Sequence, residues 1–152
     1  MKYLGLTLDS RWRFDKHFDR LASRVEGVAA ALGRLLPNLG GPEDGVRRRY
    51  AEVVQAVALY EAPVWVSDLV ASRRGAMILR RVQRRMIIRV ARGYRTISHE
   101  AANILAGTPP MDFLAGMHIT VYDRRKALRR DGVSLSGRTV EVQRRQARQS
   151  IV

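Results

Sequence analysis

Nine arginines and no acidic residue lie between Arg73 and Arg95, interleaved with a regular run of apolar side chains. Guanidinium groups in this pattern grip polyanions through planar, bidentate contacts and stack on bases, but they break no bonds. At about 100° per residue, Leu79, Val82, Met86, Ile87 and Val90 fall on one arc of a helix, and Arg80, Arg81, Arg84, Arg85, Arg89 and Arg92 fall on the other. One face calls for a core and the other for phosphate. Ile88 interrupts the arginine face near its centre, where it either packs on a neighbour or wedges against a sugar and base edge. Just beyond the helix, Tyr94 and Arg95 set an aromatic beside a cation, suited to stacking on a nucleotide or to capping the helix.

The charge is local. Residues 1–72 carry a net charge of +1, residues 73–95 carry +9 and residues 96–152 carry +4, together the +14 of the chain. A concentrated excess directs a field at phosphate polymers or anionic surfaces. The arginine face then has three readings: a solvated surface, a nucleic-acid contact, or an amphipathic helix for a membrane or an acidic protein. Only Lys2, Lys16 and Lys126 are lysines, a bias that a GC-rich genome would also produce.

Other chemistries find no footing in the sequence. His17, His99 and His118 share no ligand spacing, and only His17 has carboxylates near it, Asp15 and Asp19, which suit the start of a helix. His118 falls on the apolar line of its helix and reads as a core or boundary residue. Gly40–Gly41 is a linking turn, since no Lys-Ser or Lys-Thr pair comes after it as a phosphate loop requires. The chain has no cysteine, which removes disulfides and thiolate metal sites. No catalytic residue, metal site, cofactor or small-molecule substrate is therefore expected.

The elements that position the arginines can be read from periodicity. Lys2 to Leu8 reads as one β-strand with a turn-like Asp9–Ser10 after it. Phe14, Phe18, Leu21, Val25, Val28, Leu32 and Leu35 recur at alternating spacings of four and three, as one face of a long helix requires. Pro37 and Gly40–Gly41–Pro42 end it. A second helix starts near Pro42 with the apolar line Val46, Tyr50, Val53, Val57 and Tyr60, and Pro63 kinks or stops it. The arginine helix runs from about Arg74 to Arg92, closed by Gly93. Ser98 caps a short helix through Ala106, and Gly107–Pro110 breaks before a fifth that presents Met111, Leu114, His118, Val121 and Leu128.

The expected fold is mainly α, a bundle of about five helices preceded by one short orphan β-strand, with 152 residues enough for one core. Residues 1–10 form the strand segment, 11–130 the helical domain, and 131–152 a basic tail, helical when docked or disordered. A lone strand leaves its backbone groups unpaired, which implies a fragment or a member of an assembly. The longest apolar run, Val53 to Val66, falls short of the roughly 20 residues of a membrane span. Met1 to Arg13 lacks a signal-peptide core, so an intracellular protein, nuclear or cytoplasmic, is expected.

Five stretches, in order, carry a resemblance. Lys2–Tyr3–Leu4–Gly5–Leu6 with Leu8–Asp9 resembles the block that ends the palm of non-LTR (LINE-like) retrotransposon reverse transcriptases, near their primer grip. Leu36 to Pro42, Leu59 to Trp65, Gln83–Arg84–Arg85, and Gly93 to Ser98 continuing through Ala101, Gly107 and Pro110 resemble the segment after that block in insect members. Together they cover about residues 2–130. The resemblance implies the palm end, the thumb and the helices behind it, which lie along template and primer. It implies no polymerase activity for this chain alone, because the family's Tyr-x-Asp-Asp block, which binds Mg²⁺ in the palm, stands upstream of the strand and is absent here. The implied partners are an RNA–DNA or RNA duplex, held without sequence preference, and the remainder of the palm.

On this reading Arg80, Arg81, Arg84, Arg85, Arg89, Arg92, Arg95 and Tyr94 contact nucleic acid, and Tyr3, Leu4 and Gly5 belong to a primer-grip-like strand. The shallow minor groove of an A-like hybrid suits such sugar and phosphate contacts. Arg47, Arg48 and Arg49 on the second helix form a rival surface. The alternative function is a helical interaction module, a truncated element remnant that binds an acidic protein or a membrane. Two departures from the family favour a drifting or truncated copy: Glu61 stands where these proteins commonly have glycine, and the tail around Val142 lacks the expected tryptophans.

Overall fold

The computed structural model describes residues 2–3, 5–11, 13–37, 41–132, 136–137, 140–142 and 145–146. Leu4, most of the 131–152 tail and residues 38–40 of the Leu36–Pro42 turn lie outside the described residues.

The mainly α architecture holds, with two differences in the elements. The strand expected over Lys2–Leu8 doubles back as a hairpin: β1 (Lys2–Tyr3) pairs antiparallel with β2 (Leu6–Thr7), in the register Lys2↔Thr7 and Tyr3↔Leu6. Gly5, in the connection, adopts φ 86°, a conformation glycine takes without a steric penalty. The strand therefore finds its partner within the chain, and the unpaired edge inferred from sequence does not require an external one. A Cβ on Gly5 would lie 3.2 Å from the Tyr60 ring, so the hairpin sits close against that residue.

The bundle has six described helices: α1 (Asp15–Gly33), α2 (Asp44–Ala58), α3 (Ala62–Ala71), α4 (Arg73–Val90), α5 (His99–Ala106) and α6 (Met111–Arg130). The additional one is α3. Its apolar run suggests the end of the second helix, but Glu61 turns left-handed at φ 53° and Pro63 sits in the first turn of a new one. The chain bends by 82° between α2 and α3 and restarts at once. Tyr60, at the bend, accepts a hydrogen bond through its carbonyl from the Trp65 indole N–H at 3.0 Å. No single described helix is long and apolar enough to cross a membrane.

The α1 stripe buries at Phe14, Phe18, Leu21 and Val25, after which Ala29 takes the inward position, Val28 and Leu32 pack only partly against the core, and Leu35 is exposed. The face of α2 is rotated from the expected line. Arg47, Tyr50, Ala51, Val54 and Ala58 turn inward, while Val46 and Val53 stay exposed. Ser72 caps α4 by accepting the Gly75 N–H at 3.0 Å, and Gly75 lets α4 approach Phe18, whose ring would meet an added Cβ at 3.0 Å. Ser98 caps α5 in the same way through the Ala101 N–H at 3.1 Å. In α6, Met111, Leu114 and Ala115 are buried, whereas His118 is exposed rather than in the core.

An aromatic cluster closes the core beside the hairpin. Phe18 meets Trp65 edge-on at 5.7 Å, and the buried His17 ring lies 5.8 Å from Phe14 and 6.2 Å from Trp65. Nδ1 of His17 accepts the Thr7 N–H at 3.4 Å, which leaves the proton of the neutral ring on a buried, unpartnered Nε2. Burial pushes the His17 pKa below its ordinary 6.5. The folded state thus prefers the neutral ring, and the unfolded chain binds the proton first as the pH falls. Stability contributed by His17 should be complete above about pH 6.5 and be lost as the pH falls through the lower folded value. We expect melting temperatures to drop by several degrees between about pH 7.5 and pH 5.5, and His17→Gln to flatten that decline. His99 is also pushed down, chiefly by burial, so part of the decline should remain. An unchanged profile in His17→Gln would exclude His17 as its source.

Candidate nucleic-acid interface

The arginine face of α4 is not a free brush of cations. Arg74 pairs with Asp19 of α1 through two 3.0 Å contacts, Arg80 with Asp112 of α6 at 2.7 Å, and Arg85 with Glu26 of α1 at 2.8 Å. The arginines of these pairs are exposed, Asp112 is mostly covered, and each pair sets a carboxylate against the charge that a phosphate would use. Arg84 and Arg89 instead donate to backbone carbonyls. Arg84 Nη2 reaches the carbonyls of Arg95 at 2.6 Å and Ile97 at 2.7 Å, and Arg89 Nη1 reaches Gly33 at 2.9 Å. A carbonyl orients a guanidinium without cancelling its charge, so both remain full cations in fixed positions.

Gly33 makes room for this contact, since a Cβ there would lie 3.0 Å from Nε of Arg89. Arg92 has φ 53° and reaches the Pro42 carbonyl at 3.2 Å, with Asp44 farther off at 3.8 Å. Among the described residues, the exposed side chains of Arg81 and Arg95 form no internal hydrogen bond or ion pair.

Between α1 and α4 a groove of about 900 Å³ opens. Glu26, Ala29 and Ala30 of α1 form one wall, Val82, Arg84, Arg85, Ile88 and Arg89 of α4 the other, and Gly93, Tyr94 and Arg95 its end, with Tyr50 at the base. Four guanidinium groups and one carboxylate therefore line the groove. Ile88 is half-buried and packs against the core while lining this groove, which accounts for an apolar side chain amid the arginines. Tyr94 is 86% exposed, so it does not pack as a cap on its own helix.

Of the residues singled out from sequence, the groove gathers Arg84, Arg85, Arg89, Tyr94 and Arg95. Arg80, Arg81 and Arg92 lie outside it. The primer-grip-like residues are also elsewhere. Tyr3 and Gly5 belong to the hairpin beside His17, about 16 Å along α1 from the groove at 1.5 Å per residue, and Leu4 lies outside the described residues. Sequence reasoning misses two polar residues of structural importance. Arg47, in the proposed rival surface, is fully buried and faces inward, leaving Arg48 and Arg49 exposed. Gln83 is also buried. It donates to the Pro109 carbonyl at 2.6 Å and accepts the Met111 N–H at 2.8 Å, fastening the start of α6 to α4. Both positions continue an inward-facing helical stripe, which is the signal that could have found them. Among the described residues, no three His, Asp or Glu side chains group so as to hold a metal ion.

Comparison with known proteins agrees with the five stretches. The chain is 31% identical over 128 residues to the "Putative 115 kDa protein in type-1 retrotransposable element R1DM" of Drosophila melanogaster, a match over 82% of this chain and 12% of that protein. It is 26% identical over 127 residues to the "Retrovirus-related Pol polyprotein from type-1 retrotransposable element R1 4" of Nasonia vitripennis, over 83% of this chain and 32% of that protein. The chain thus spans only a minor part of either relative. It is a segment related to proteins of R1 non-LTR retrotransposable elements of insects. No family model matches it, and no solved structure matches it.

Proposed function

We propose that this chain is a non-catalytic, thumb-like segment of a retrotransposon reverse transcriptase, holding template–primer duplex while the remainder of the polymerase supplies Mg²⁺ and the chemistry. The observation that carries this reading is the α1–α4 groove, where Arg84 and Arg89 are oriented by carbonyls and keep their charge. Arg81 lies on the exposed arc of the same helix, and Arg95 closes the end of the groove. Backbone phosphates of an RNA–DNA hybrid are the ligand chemistry that suits this set, because cations without a base-reading framework bind without sequence preference.

Four such contacts should give hybrid binding a log–log salt slope of roughly −4, at about −0.9 per phosphate. The double change Arg81→Gln and Arg95→Gln removes two cations that form no bond among the described residues, so the fold should persist while the slope flattens by about two units for every sequence tested. Absence of binding to hybrid duplex at low salt would refute the proposal. An unchanged slope in the double variant would move the contact off this face.

A further inference from the structure

Tyr94 is an aromatic ring held in water by a fastened loop. The loop begins after Arg92, whose φ of 53° is uncommon for a residue with a side chain. Gly93 N–H bonds the Ile88 carbonyl at 2.9 Å, Ile97 N–H bonds the Tyr94 carbonyl at 3.2 Å, and Arg84 clamps the carbonyls of Arg95 and Ile97. The backbone on both sides of Tyr94 is therefore fixed, while its ring remains 86% exposed at the mouth of the groove. Burial does not explain this ring, and a ring presented on a braced loop is organised for a flat ligand.

The groove behind it has a matching character. Ile88, Ala29 and Ala30 give it apolar lining, interspersed with guanidinium groups. Its volume of about 900 Å³ is that of a cleft for small ligands, about 300–1,000 Å³, so a duplex can lie along its rim while only a single strand would enter it. A single strand fits both features, because unpaired bases present free π-faces to an aromatic platform while their phosphates track a basic edge.

We propose that the α1–α4 groove takes the unpaired strand adjoining a duplex, with one base stacked on Tyr94 and its flanking phosphates on Arg84, Arg89 and Arg95. This rests on the nucleic-acid reading of the same face and specifies the form of the ligand. Duplex along the rim would meet Arg81 and the guanidinium groups lining the groove, and the strand leaving it would enter the groove.

The test compares, by fluorescence anisotropy, a blunt RNA–DNA hybrid with the same hybrid carrying a short single-stranded overhang, using the full chain. The overhang should tighten binding by roughly tenfold or more for each stacked base. Tyr94→Ala should abolish that advantage and leave the blunt hybrid unaffected, whereas Tyr94→Trp should preserve it. The fold of each variant is checked by its melting transition, which an exposed side chain should leave in place. Equal affinity for blunt and overhanging hybrids would overturn the inference while leaving the duplex proposal standing. Equal losses for both ligands in Tyr94→Ala would also overturn it. Binding of the overhanging hybrid with no binding of the blunt one would uphold the inference and refute the duplex grip.

Discussion

Arg47→Ala should leave the protein largely unfolded under conditions where the wild type is folded. Arg47 is fully buried, and its guanidinium donates from Nε to the Pro42 carbonyl at 3.1 Å, from Nη1 to Arg89 at 2.6 Å and from Nη2 to Pro37. One side chain thus ties both flanks of the α1–α2 connection to the last turn of α4. The Arg89 carbonyl lies near the negative end of that helix, which favours a cation there. Truncation removes donors from three carbonyls, at about 1–3 kcal/mol for each that stays buried, and leaves a cavity.

A total of about 4 kcal/mol or more would consume a large share of the stability of a domain at the lower end of the usual range of roughly 5–15 kcal/mol. Arg47→Lys should rescue only part of this, because a compact ammonium cannot span carbonyls placed for a planar fork. Urea titration monitored by circular dichroism checks both variants. A midpoint for Arg47→Ala within about 1 kcal/mol of wild type would mean that the clamp contributes little.

The second large effect concerns binding. Arg84→Gln should weaken hybrid duplex carrying an overhang by roughly a hundredfold, well beyond the approximately fivefold loss expected from Arg81→Gln. Arg81 offers one cation, whereas Arg84 offers a cation and also clamps the loop that presents Tyr94 and Arg95. Loss of one phosphate contact and of a positioned stacking ring together corresponds to about 2–3 kcal/mol, with tenfold for every 1.4 kcal/mol. Hydrogen exchange separates the two contributions. The Ile97 amide, bonded to the Tyr94 carbonyl, should exchange faster in Arg84→Gln and not in Arg81→Gln. Equal affinity losses with unchanged exchange would reduce Arg84 to an ordinary surface charge.

Much of this fold is legible because apolar spacing and helix caps act locally. The first half of the α1 stripe, the Ser98 cap and the burial of Leu79, Val82, Met86, Ile87 and Val90 all arise from chain-local chemistry. Pro63 marks the 82° corner in the sequence, but the helix that restarts there as α3 is not legible, because the apolar run continues across the break and Glu61 is not a residue type that signals a left-handed turn. The face of α2 is misplaced when valines are weighted over arginine. The stripe of α2 places Arg47 inward, but the carbonyls that satisfy it, at Pro37 and Arg89, lie 10 and 42 residues away, where no local pattern points.

For the site, the arginine face itself is evident in the sequence. The division of its members is not, because whether an arginine meets a carboxylate or a carbonyl depends on which helix lies opposite. Arg80 and Arg85 face Asp112 and Glu26, while Arg84 and Arg89 face backbone. The basic end of α6 also lies around a shallow cleft lined by Tyr122, Arg125, Lys126, Arg129 and Arg130, a cationic surface that an emphasis on α4 passes over.

That second surface defines the decisive measurement: photocrosslinking of the full chain to an RNA–DNA hybrid carrying a photoreactive thio-uridine in its overhang, with the linked peptides then mapped. The groove account predicts cross-links in residues 26–30 and 81–95, lost selectively in Tyr94→Ala near the overhang. Cross-links confined to residues 122–130 of α6, or to the exposed Arg48–Arg49 face of α2, would contradict it.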